Sequence, residues 1–190
     1  MKRRLLLALC FASTAAMPTL AVAQDEDPVA VLAKICAETR CHPPGTIRVI
    51  LDDGSTREFH AEHAWPIVHD GFVAIFPGVT VFLAGEIVDG KVVNLRAVDE
   101  PEAPVNVIKL EMDQKDGKPD TFLTVTNYFP AAIKYRAGMM LPTSDEVRGT
   151  SSCAVMSGPV AIEHWPHPIF QLLLTDFRIV EAGDGKIVCE

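Results

Sequence analysis

The stretch VNVIKLEMDQKDGKPDTFLTVTN, residues 105–127, decides the fold. Its two arms, Val105 to Met112 and Thr121 to Asn127, flank Asp116-Gly117, a dipeptide suited to the positive φ of a tight hairpin turn. In the second arm Leu123 and Val125 alternate with Thr124 and Thr126, which predicts a strand with one buried and one wet face. The segment downstream has the same texture: Ile133, Tyr135 and Ala137 alternate with Lys134 and Arg136. Ile169 to Val180 is apolar enough for a central strand, and Gly183-Asp184-Gly185 then turns the chain into Lys186 to Cys189.

Upstream, Ile47, Val49 and Leu51 share one face of Thr46 to Leu51, and Asp53-Gly54 folds that run onto Thr56 to Ala61. Phe72 to Phe76, Val79 to Leu83 and Lys91 to Val98 follow as strands, the last introduced by Asp89-Gly90. One helix is predicted, Pro28 to Glu38, with Asp27 as N-cap, proline at the first helical position and Val31, Leu32 and Ile35 on one side. About nine strands with no helical pattern between them give an all-β fold, a two-sheet β-sandwich rather than a partly open barrel. The strand spacing in Val105 to Val180 is compatible with an immunoglobulin-like unit, without the Cys and Trp positions that mark antibody domains.

The amino terminus reads differently. Lys2-Arg3-Arg4 is a basic start, Leu5 to Ala16 an apolar run too short to span a bilayer, and Ala21-Val22-Ala23 a small-x-small cleavage site. Residues 1–23 are expected to be a signal peptide and residues 24–190 one exported domain, periplasmic or secreted, with no membrane span. Losing a leader with three basic residues and no acid takes the net charge from −8 to −11. Such a surface repels phosphate backbones, and Lys and Arg are scattered along the chain, so nucleic acid is excluded as a partner class.

Four cysteines remain beyond the leader: Cys36, Cys41, Cys153 and Cys189. An even number in an exported chain implies disulfides, of which three connectivities are possible. A single turn can close Cys36 onto Cys41, which leaves Cys153 to tie down Cys189. In the loop-entropy account the wider bridge contributes about 3 to 4 kcal/mol. The competing use of Cys36, Cys41 and His42 as metal ligands lacks the matched, closely spaced Cys pairs of zinc modules.

Histidine supplies the other chemistry. His60, His63 and His69 fall within FHAEHAWPIVHD, residues 59–70, and would be the ligands of a zinc or copper ion. On a strand, residues three apart face opposite ways, so that reading needs a local turn. Otherwise no cofactor is expected. Trp65, His164, Trp165 and His167 form two Trp-Pro loops and are candidate binding residues, since amphipathic rings anchor interfaces and proline holds them extended. The chain contains no G-x-S-x-G, H-E-x-x-H or phosphate-cradling glycine loop, and Gly117 sits wrongly for a calcium loop. The sequence therefore predicts a non-enzymatic exported module that binds a protein or glycan of the cell envelope through loops, with no catalytic residue assigned. The alternative is a His-based metal-binding protein or metal-dependent hydrolase.

Overall fold

A computed structural model describes residues 27–115, 117–181 and 189. The leader expected at 1–23, Asp116 of the expected turn, and the turn and strand expected over 183–188 lie outside the described residues.

The chain begins with α1 (Pro28–Glu38), where the Asp27 carboxylate accepts the Val29 N–H at 3.1 Å and Pro28 supplies a preset φ. The strands follow as β1 (Cys41–His42), β2 (Gly45–Ile50), β3 (Thr56–Ala61), β4 (Trp65–Pro66), β5 (Val68–His69), β6 (Phe72–Ile75) and β7 (Val79–Val88). After these come β8 (Lys91–Val98), β9 (Val107–Gln114), β10 (Thr121–Asn127), β11 (Ala132–Met140), β12 (Val147–Thr150), β13 (Val160–Trp165) and β14 (Gln171–Val180).

The fold is all-β, with one short helix among the described residues. Asp89 and Gly90 both take positive φ, 48° and 72°, in a two-residue turn that matches the right-handed twist of β7 and β8. The sequence did not reveal five strands. β1, β4 and β5 have two residues each, too few to show an alternation, and β12 is Val-Arg-Gly-Thr. β13 turns Val160 and Ile162 outward, 57% and 61% exposed, and Glu163 inward, against the hydrophobic pattern. Lys134, expected on a wet face, is buried; a register irregularity between Lys134 and Arg136 breaks the alternation of β11.

The two layers are halves of one ten-stranded sheet, ordered β12-β11-β14-β8-β7-β9-β10-β13, with β6 also pairing β14 and carrying β5 at its other edge. Strand β14 is central, as its apolar run predicts. Leu172 to Leu174 pair with β6, and β14 meets β8 only further along, at Arg178 and Lys91. The halves close over a common core that includes Ile75, Leu83, Leu110, Leu123, Ile133 and Leu172, all fully buried. At about 1.5 to 3 kcal/mol for each such side chain, this burial is the main force against chain entropy.

Opposite that seam, residues 153–157 bridge the halves. Val155 exchanges backbone hydrogen bonds with Ile133, at 2.8 and 3.0 Å. The fully buried Asn127 side chain donates to the carbonyls of Ala131 and Val155 and accepts the Phe129 N–H. Two disulfides, Cys36–Cys41 and Cys153–Cys189, tie each end of the described chain to a neighbouring loop or strand. The pairing is the local-plus-distal one that spacing favours.

Beside Cys153 lies a polar contact that works against the fold at neutral pH. Glu163 Oε1 accepts the Tyr135 hydroxyl at 2.8 Å and the Cys153 N–H at 3.2 Å, while Oε2 is buried without a partner among the described residues. Desolvation outweighs both hydrogen bonds and raises the Glu163 pKa above the ordinary carboxylate value. A folded pKa above the unfolded one gives stability that is complete below the unfolded pKa and lost as pH rises through the folded one. Glu163→Gln removes this titration. Urea unfolding at about pH 4 and about pH 7 should show the variant gaining on the wild type at the higher pH; a pH-independent difference would count against this account.

Candidate functional site

A large cavity forms where the short elements of the amino-terminal third are held over the main sheet. The Cys36–Cys41 bond fixes the chain as it leaves α1, so that β1 pairs with β4 and sets His42 opposite Trp65. Pro43 and Pro44 then lead into the hairpin of β2 and β3, which pairs only with itself. The hairpin turn is local chemistry: Asp53 Oδ1 accepts the Ser55 N–H and hydroxyl, and Gly54 takes φ 80°.

Side chains hold the hairpin in place. Gln114, at the end of β9, accepts the Ile50 N–H at 2.8 Å and donates to the Ile50 and Pro119 carbonyls. Arg57 donates to the Pro142 carbonyl at 2.6 Å, and its guanidinium lies 5.0 Å from the centre of the Phe59 ring. Phe59 packs on Phe170, just before β14, with ring centres 4.2 Å apart. Between hairpin and sheet lies a pocket of about 990 Å³, at the upper end of the range of small-molecule sites.

Its wall is a chain of rings. His42 meets Phe76 edge-on at 5.0 Å, Phe76 meets Phe170 at 5.6 Å, and Phe170 meets Phe59. Trp65, 46% exposed, with His60 and His63 completes the lining on the hairpin side. His42 is only 8% exposed, and its Nε2 lies 2.9 Å from the Ala74 carbonyl oxygen. A carbonyl can only accept, so Nε2 carries the proton and Nδ1 is left as an acceptor. Burial lowers the His42 pKa, the Ala74 hydrogen bond opposing only in part, so the ring is neutral at pH 7.

The structure distributes the sequence-predicted residues unevenly. Trp65, His60 and His63 share this pocket. His60 Nδ1 is hydrogen bonded to Thr46 Oγ1 across the hairpin at 3.0 Å. His69 is not in the lining; it pairs with Phe72 on β6 and faces Asp70 at 3.4 Å. Among the described residues no three His, Cys, Asp or Glu side chains gather as a metal site requires.

The second Trp-Pro loop does not join the first. Trp165 is buried, 7% exposed, and its Nε1 donates to Thr150 Oγ1 at 2.8 Å, so its ring belongs to the core. His164 stacks on Phe122 on the outer face of the sheet, and His167 approaches the Met139 sulfur at 3.4 Å beside a separate cavity of about 300 Å³. The sequence reading missed Phe59, Phe76, Phe170 and Gln114. The three phenylalanines stand in segments read as ordinary strands or their ends and Gln114 in a stretch read as a hairpin turn, and only their convergence makes a site. His42 was visible within Cys-His-Pro-Pro-Gly, a stiff segment anchored by its cysteine.

Compared with known family models, curated proteins and solved structures, the chain matches none. The case for function therefore rests on the pocket. Among the described residues no helix is long and apolar enough to cross a membrane.

Gln114→Leu leaves the Ile50 N–H and carbonyl without these partners and should cost about 1 to 3 kcal/mol of stability. Hydrogen exchange should localise the effect, with the Ile50 amide exchanging faster while amides in β9 and β10 keep their protection. Equal acceleration throughout would mean that Gln114 holds the whole fold rather than the hairpin.

Proposed function

We propose that this disulfide-stabilised β domain is an exported, non-enzymatic binding module, and that its ligand enters the pocket beneath the β2–β3 hairpin. The observation that carries the reading is the continuous ring wall His42–Phe76–Phe170–Phe59 facing a space of about 990 Å³. A preformed aromatic cavity of that size buries most of a small organic molecule. The lining favours a small, largely apolar ligand over a glycan, because the hydroxyls of a sugar need many polar partners, whereas most of the wall is rings, prolines and aliphatic side chains and Gln114 is already committed to the hairpin.

Tryptophan provides the assay. Trp65 stands in the pocket and Trp165 in the core, so a ligand should perturb the emission of one and leave the other unchanged. Screening apolar ring compounds against wild type and Trp65→Phe should find emission changes only where Trp65 is present. Trp65→Ala should weaken binding by about tenfold, the cost typical of removing an aromatic anchor. If no such compound binds by calorimetry, the pocket reading fails.

Export rests on the leader-like residues 1–23 and on two disulfides in a chain whose thiols would stay reduced in a cytosol. Mass spectrometry of the protein recovered from its natural source should find Gln24 as the first residue; a product retaining the leader inside the cell would overturn this part.

A further inference from the structure

Two buried polar side chains line the pocket, His42 and Gln171, and His42 is the one whose spare capacity is that of an acceptor alone. His42 spends its Nε2 proton on the Ala74 carbonyl, and its Nδ1 lone pair has no hydrogen-bond partner among the described residues. The ring is more than nine-tenths buried and is part of the pocket wall. Its proton cannot move to Nδ1 without setting an Nε2 lone pair against a carbonyl oxygen, so Nδ1 stays an acceptor. Burial that lowers the pKa keeps the ring from becoming a cation that would donate from both nitrogens.

Charge around the cavity narrows the choice. Its ionic lining groups other than histidine are Arg48 and Asp113, one of each sign, and Arg48 is already held by Glu58 at 2.8 Å. An anionic ligand would meet an arginine that is already paired, and a cationic one only Asp113, whose Oδ1 already accepts the Gln114 N–H. The walls are rings in edge and tilted contacts, which accept another flat ring by the same geometry.

We infer that His42 Nδ1 is the polar anchor of this pocket, and that the ligand is a neutral flat aromatic molecule bearing a hydroxyl or N–H donor, of the phenol or indole class. The inference rests on the pocket reading above and sharpens it. An unmet acceptor in an apolar cavity discriminates strongly, because a ligand that fills the space without a donor leaves the lone pair desolvated.

Matched probes test it: 2-naphthol and 2-methoxynaphthalene have the same ring system, and only the first can donate. Calorimetry on the purified protein should show 2-naphthol binding at least about tenfold tighter. In His42→Phe this preference should vanish while the ether still binds. Should that variant not fold, long-range nitrogen NMR on wild type replaces it: the His42 Nδ1 resonance should shift with 2-naphthol and stay in place with the ether. Equal affinities, a preference that survives in folded His42→Phe, or an unmoved Nδ1 resonance overturns the anchor and leaves the pocket reading standing. Binding of neither probe overturns both.

Discussion

Among the described residues the β2–β3 hairpin shares no backbone ladder with the main sheet, and the pocket exists because of that. A hairpin joined to the ladder would lie about 4.8 Å from its neighbour and leave no space. Here three side-chain contacts hold it at a distance: the Gln114 amide on Ile50, Arg57 on the Pro142 carbonyl, and Phe59 on Phe170. Each reaches from the hairpin to the main body of the fold, and Gln114, Phe59 and Phe170 also line the cavity they prop open. An isolated two-stranded ribbon is marginal in water, and packing against the sheet gives this one its stability.

A similar economy closes the main sheet. Its halves share few ladder hydrogen bonds at the β14–β8 seam, and the burden passes to the apolar core and to buried polar side chains. Asn127 satisfies three backbone groups at once, one of them the Val155 carbonyl of the irregular segment 153–157, whose Val155 N–H is met by Ile133. Glu163 is the less satisfactory partner. It ties β13 to Tyr135 and to the Cys153 backbone, yet leaves one oxygen desolvated.

Fold class was legible because the long strands obey period two and their turns carry Asp-Gly. The helix was legible from its cap and proline, and it runs over Pro28–Glu38 as expected. Strands of two residues contain no period to detect. The site was legible only in part. Trp65, His60 and His63 stood out by residue type, and all three reach the pocket. Trp165 stood out equally and is core, because a Trp-Pro sequence looks the same whether its ring is buried or not. The ring wall was hidden because its members come from residues 42, 59, 76 and 170, and nothing local connects positions so far apart.

Strand β13 has a consequence for how the chain finds its native alignment. With Val160 and Ile162 outside and Glu163 inside, sliding the strand by one residue would bury the two aliphatic side chains and release the carboxylate but expel Trp165, so apolar burial alone separates the two alignments poorly. The choice between the alignments therefore falls to directional bonds, Tyr135 to Glu163 and Trp165 to Thr150. Glu163 thus acts as a spelling check: it gives up some stability in the correct state to mark that state off from an error that burial alone would not reject.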